Sequence, residues 1–235
     1  MRLKPILCIA LLAYNIPGFC QQPDQYSTFL GSNKQLLFVK TAKPTDITGV
    51  MYLYHRKSAH KPWKLADSFA VTVGRTGLAW DAYTKIPHSS GLENKKEGDG
   101  KSPAGLFKLG PVFSYHSLEK VKMPWQQVDS TDICVDDVKS AYYNRPLDKD
   151  SIAKQDWNSF EYMHRQDNAY EYGIWVLYNS TNYTPGMGSC IFLHVWENAE
   201  HPTVGCTAMS KDNIIKLIHW LDPKKQPVLL QVTGD

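Results

Sequence analysis

The chain has 235 residues, 43% of them hydrophobic and 21% charged, enough apolar mass for one ordinary core and too much for a disordered chain. Its 26 basic and 23 acidic residues leave a formal net charge of +3. The charge is spread without a basic block, which removes the electrostatic footprint of a nucleic-acid binder, so nucleic acid is not an expected partner.

Residues 1–20 read as a secretory signal peptide: Arg2 and Lys4 give a basic start, an apolar run covers residues 6–14, and Gly18 lies just ahead of a cut after Cys20. That run is far shorter than the roughly 20 residues needed to span a bilayer, and no later stretch approaches that length, so no transmembrane segment is expected. Lipidation at Cys20 is the competing reading. It is disfavoured because Pro17-Gly18-Phe19 puts a bulky ring where lipoprotein signals carry small residues. Removal of the leader takes Arg2 and Lys4 with it and leaves a nearly neutral, secreted or periplasmic protein.

Residues 21–34 are polar without a clear period and read as a tether, so the folded domain is expected over residues 35–235. Leu36-Leu37-Phe38-Val39 opens it. Short β-type runs follow at residues 49–55, 68–73, 105–109, 172–178, 190–196 and 227–232, separated by Gly, Pro, Asn and Asp clusters. Residues 84–101 read as a long polar loop and residues 152–164 as a helix. A firmer helix is expected over residues 211–221, where Ile214, Leu217, Ile218 and Leu221 repeat at helical spacing between a capping Ser210 and Pro223. The fold class is therefore mainly β with a few helices.

Cleavage leaves Cys134, Cys190 and Cys206, an odd set for an exported chain. Cys134 and Cys190 are either a disulfide or two small buried side chains; spacing alone leaves both open. Cys206 follows Gly205 and precedes the Ser210-capped helix, whose N-terminal N–H groups would favour a thiolate. Strand alternation sends Ile191, Leu193 and Val195 to one face and Cys190, Phe192, His194 and Trp196 to the other. His194 can therefore face a cleft and take the thiol proton of a nucleophilic Cys206. His201 is a rival base in the same loop. No Cys-x-x-Cys or His-x-x-x-His pair supports zinc, and neither metal nor cofactor is expected.

These residues resemble the L,D-transpeptidase (YkuD-like) catalytic domain, whose histidine strand leads through a loop to a Ser/Thr-x-Gly-Cys motif. Thr203-Val204-Gly205-Cys206 is similar to that motif, and Lys101-Ser102-Pro103-Ala104-Gly105-Leu106-Phe107 resembles the family's Pro-x-Gly-x-Phe/Tyr strand entry. The likeness includes residues 73–80 and extends, in a secreted branch of the family, to Cys134-Val135-Asp136-Asp137, Tyr142-Tyr143-Asn144 and the segment 188–194. Here the family's usual His-Gly pair is His194-Val195, and Ala208 stands where an arginine often follows the cysteine by two positions.

The resemblance implies a β-sandwich or barrel and acyl transfer on peptidoglycan stem peptides. Cys206 would form a thioester, His194 would be general base, and backbone N–H groups at Gly205 and Cys206 would hold the oxyanion. Thr203, Arg75 and Trp196 are the candidates for contacting substrate. The alternatives are an L,D-carboxypeptidase or amidase in which water resolves the same thioester, and a non-catalytic peptidoglycan-binding module.

Overall fold

The computed structural model describes residues 23–87 and 91–234. The leader and Cys20 lie outside the described residues, as do His88–Ser90 of the polar loop. No helix among the described residues is long and apolar enough to cross a membrane.

Pro23–Tyr26 forms a 3-10 turn, followed by the one-turn helix α1 (Ser27–Leu30). The strands β1 (Gln35–Thr41), β2 (Thr48–His55), β3 (Lys64–Thr72), β4 (Leu78–Trp80) and β5 (Ser102–Ser114) come next. Then come β6 (Trp125–Gln127), β7 (Asp132–Val135), β8 (Arg145–Asp148), β9 (Phe160–Tyr162), β10 (Tyr172–Val176), β11 (Phe192–Val195) and β12 (Thr207–Met209). Helix α2 (Lys211–Trp220) and β13 (Val228–Thr233) close the chain.

The main sheet runs β10-β11-β12-β3-β2-β1-β13-β5, and β5 also pairs β10, so the sheet closes into a barrel. Closure depends on the length of β5, whose Gly105–Lys108 half pairs β13 while its Leu109–Ser114 half pairs β10. Opposite Phe113 stands Gly173, where a Cβ would come within 2.1 Å of the Phe113 ring. The missing side chain lets that ring lie flat on the neighbouring strand and reach Phe192 at 5.5 Å. A buried polar ladder crosses between strands: Thr207 Oγ1 donates to Gln231 Oε1 at 2.8 Å, and Gln231 Nε2 donates to the Pro103 carbonyl at 2.9 Å.

The expected tether is in part folded structure. Leu30 is fully buried, Tyr26 packs edge-on against Phe38 at 5.9 Å, and Arg56 donates to the carbonyls of Asn33 at 2.7 Å and Gly31 at 2.5 Å. This cover over β1 explains why Leu36, Leu37, Phe38 and Val39 are all buried although alternate residues face opposite sides. The expected late helix forms as α2, with Ser210 Oγ accepting from Asn213 N–H and Ile214, Leu217 and Ile218 buried.

The expected helix over residues 152–164 does not form. Its start is an irregular loop pinned by carboxylates, with Asp137 accepting from Asn158 N–H at 2.7 Å and Asp156 from Ser140 Oγ at 2.5 Å. Its end is β9, which joins β7 and β8 in a separate three-stranded sheet. Cys134, in the middle of that sheet, is disulfide-bonded to Cys190 just ahead of β11, with Cα atoms 6.0 Å apart. The bond staples the small sheet to the barrel.

Candidate active site

Strands β11 and β12 run parallel with His194 opposite Ala208. Extending that register places Cys206 level with Phe192, on the same face as His194 and offset from it by two residues, about 7 Å of strand rise. As the alternation predicts, Ile191 and Leu193 join the main core while Cys190, Phe192 and Cys206 belong to a second buried cluster. His194 and Cys206 line one cavity of about 470 Å³.

Cys206 is the free cysteine of the described residues and is buried. Its turn is held by two hydroxyls, for Ser102 Oγ donates to the Cys206 carbonyl at 2.5 Å and Thr203 Oγ1 donates to the same oxygen at 2.6 Å. Thr203 Oγ1 also accepts from Gly205 N–H at 3.1 Å. Gly205 therefore spends its N–H inside the turn, contrary to the expectation that it would serve an oxyanion.

The Cys206 sulfur accepts from Phe192 N–H at 3.3 Å and donates to the Cys190 carbonyl at 3.5 Å. Burial pushes the thiol up to about 12, the nearby Glu161 carboxylate adds to this, and the Phe192 N–H, Lys95 and the Tyr170 hydroxyl oppose it. The expected thiolate at a helix N-terminus is not what the fold builds. Strand β12 separates Cys206 from α2, and the Ser210 cap closes the helix end itself.

His194 is buried against Tyr170, with ring centroids 5.2 Å apart, and its Nδ1 bonds the Val195 carbonyl at 2.8 Å. That bond makes Nδ1 the protonated nitrogen of the neutral ring and leaves Nε2 as the acceptor. Burial depresses the imidazole to about 4, with the Val195 carbonyl opposing. The resting pair is thus a neutral thiol beside a neutral imidazole.

Thr203 and Trp196 also line the cavity, whereas Arg75 does not. Arg75 is exposed, and its backbone N–H donates to the Thr203 carbonyl at 2.8 Å. His201 lies at the exposed rim with Nδ1 3.0 Å from Glu197. Ala208 forms part of the wall. The cations that reach the cavity are engaged, Lys95 with Asp99 at 2.7 Å and Arg165 with Asp167.

Glu97, Glu161 and Tyr170, which carry no sequence signal of a role here, complete the wall together with Asp136 of the segment that bears the family likeness. Glu97 comes from the polar loop and is held by Ser189 Oγ at 2.7 Å and by the Tyr143 hydroxyl. Glu161 lies in β9, where Phe160-Glu161-Tyr162 carries a period-two signal that the helix reading hid.

The family model for the L,D-transpeptidase catalytic domain matches residues 45–230. Comparison with curated proteins and with solved structures gives no match.

Proposed function

The chain belongs to the YkuD family of L,D-transpeptidase catalytic domains, and from that premise we propose that it is an exported cysteine acyltransferase acting on peptidoglycan stem peptides. The observation that carries this reading is the placing of a free cysteine and a histidine on one face of the barrel, in one cavity, with Cys206 on the turn Thr203-Val204-Gly205-Cys206. Export is supported by the basic-then-apolar leader and by the Cys134–Cys190 disulfide, which suits an oxidising compartment.

In this mechanism Cys206 attacks a stem-peptide amide, the leaving amine departs, and the acyl group rests on sulfur as a thioester until an amine takes it. With the thiol at about 12 and His194 at about 4, no ion pair waits in the free site, so proton removal accompanies attack on bound substrate. His194 Nε2 is the base on that face. The N–H of Cys206 is the donor this turn offers to the developing oxyanion, a type of contact worth roughly 3 kcal/mol in other enzymes. Val204, 67% exposed at the rim, offers apolar contact to the stem, and Trp196 offers an aromatic wall.

The test incubates the mature protein and Cys206→Ala with tetrapeptide- and pentapeptide-bearing muropeptides plus an amine acceptor, with products and protein read by mass spectrometry. A cross-link or acceptor adduct that needs Cys206 is the expected result. Loss of a residue or stem that needs Cys206 would instead make the protein a carboxypeptidase or amidase. No change with either protein would leave a peptidoglycan-binding module.

A further inference from the structure

The strands that carry the Cys206 turn have a second end, far from the cavity. At the cavity end, β3 finishes at Thr72 opposite Ala208, and β5 begins at Ser102, whose hydroxyl holds the Cys206 carbonyl. At the other end, β1 and β13 begin side by side with Leu36 opposite Val228, and β2 finishes at His55 opposite Lys64, the first residue of β3. The nine residues of β3 separate the two ends by about 25 Å.

Folding gathers at this far end lysines that the chain keeps apart. The β2–β3 connection carries Lys57 and Lys61, Lys64 opens β3, and residues 55–64 hold no carboxylate. Lys34 ties this connection to the 3-10 turn Pro223–Lys225: its carbonyl accepts from Arg56 N–H at 3.0 Å, and its N–H donates to the Lys225 carbonyl at 2.8 Å. Lys224 and Lys225 therefore belong to the same end. Lys57, Lys61, Lys64 and Lys224 are exposed, while Lys34 and Lys225 are half-buried. None of them has an ion-pair partner among the described residues, whereas Lys95, Lys122, Lys211 and Lys216 each face a carboxylate. The acids near this end answer other cations: Asp222 lies 4.0 Å from Lys122, Asp67 is bonded to Lys216, and Asp24 offsets the buried Arg56.

Two large apolar side chains stand in water beside these lysines. Leu65 follows Lys64 and is 48% exposed. Trp125 is 37% exposed and follows Pro124, which lines a cavity with Pro223 and Gln226 of the lysine-bearing turn. We propose that this end of the barrel docks on an anionic lipid surface, with phosphate headgroups against the lysines and with Leu65 and Trp125 in the interfacial layer. A soluble polyanion would answer the lysines alone and leave both apolar side chains in water, so the lipid surface is the better match. Each lysine near such a surface is worth roughly fivefold in partition, which makes the docking reversible and sensitive to salt. The Cys206 cavity, at the opposite end of the strands, is then turned away from the membrane.

The experiment sediments the mature protein, in about 0.1 M salt, with vesicles of equal parts phosphatidylglycerol and phosphatidylcholine and with vesicles of phosphatidylcholine alone. The unaltered protein should bind the anionic vesicles only and be released as salt is raised to about 0.5 M. Lys57→Glu with Lys61→Glu and Lys64→Glu should lower the partition coefficient by roughly a hundredfold or more, and Lys224→Glu with Lys225→Glu by roughly tenfold or more. Leu65→Ser should lower it by a smaller factor. The same change in net charge placed elsewhere, as Lys85→Glu with Lys139→Glu and Lys154→Glu, should leave binding within about threefold of the unaltered protein. The side chains replaced lie at the surface, so melting temperatures should not move. Failure to bind the anionic vesicles overturns the proposal, as does equal binding to both vesicle types. Equal losses in the two triple variants also overturn it, because net charge would then be the cause. Protein that ignores vesicles but binds soluble polyphosphate, read by fluorescence anisotropy, assigns the surface to a polyanion and overturns membrane docking as well. Every reading is made without muropeptide, so the result stands whatever the Cys206→Ala comparison gives.

Discussion

At the scale of single residues, Thr203 does more for the site than its place in a four-residue motif discloses. Its one hydroxyl satisfies two backbone groups, the Cys206 carbonyl and the Gly205 N–H, and all three residues are buried. Thr203→Val keeps the shape and removes both bonds, which should cost about 2–3 kcal/mol and lower turnover by displacing the sulfur. Thr203→Ser keeps the hydroxyl and should stay close to wild type. Urea midpoints of the two variants, with muropeptide turnover alongside, separate hydrogen bonding from volume. Equal losses in both would contradict this account.

Among elements, the disulfide is the covalent one of several contacts, with the Asn144 hydrogen bonds to Tyr178, Asn179 and Cys190, that tie the peripheral sheet to the cavity. It closes a loop across 56 positions, which in the chain-entropy picture stabilises the folded state by up to about 4 kcal/mol. Cys134→Ala with Cys190→Ala should lower the denaturation midpoint accordingly. It should also depress activity while Cys206 stays reduced, because Glu161 and Asp136 reach the cavity only through that sheet. Turnover and melting measured with and without dithiothreitol give the same comparison in the unaltered chain. The end of α2 offers a smaller test. Ser210→Ala removes the cap on Asn213 N–H and should cost about 1 kcal/mol, with little effect on turnover, since β12 lies between that cap and the sulfur.

At the scale of the whole molecule, burial sets two titrations against each other. The folded His194 ring stays neutral down to about 4, whereas in the unfolded chain it takes a proton below about 6.5. Stability from this group is therefore lost as the pH falls through that window. The folded Glu161 carboxyl keeps its proton up to about 7 while the unfolded one ionises above about 4.3, so stability from Glu161 is lost as the pH rises. Each is worth at most about 3 kcal/mol over its full span, and the two offset. Glu161→Gln should remove one side of the balance, so the stability of the variant relative to wild type should grow by up to about 3 kcal/mol from pH 4 to pH 8. Identical pH dependence of the urea midpoints in the two proteins would refute it. Barrel closure makes a cruder prediction. Strand β13 lies between β1 and β5, so deleting residues 228–234 should leave a chain without cooperative unfolding by circular dichroism.

Local patterning is legible before any fold is known. It marked seven of the thirteen strands, α2 with its Ser210 cap, the two faces of β11, and the Thr203-Val204-Gly205-Cys206 turn that carries the family likeness. Each of these signals is written within a few residues of itself. Packing between segments distant in the chain set the remainder. It buried the tether's Leu30 under β1, broke residues 152–164 into a pinned loop and a strand, and closed the disulfide. It spent the Gly205 N–H inside the turn, left Arg75 outside the cavity and brought Glu161 to Tyr170. The physical reason is that burial, desolvation and charge proximity are sums over neighbours distant in the chain, and the same environment that raises the Cys206 thiol and lowers the His194 ring is made by strands that meet only when the barrel closes.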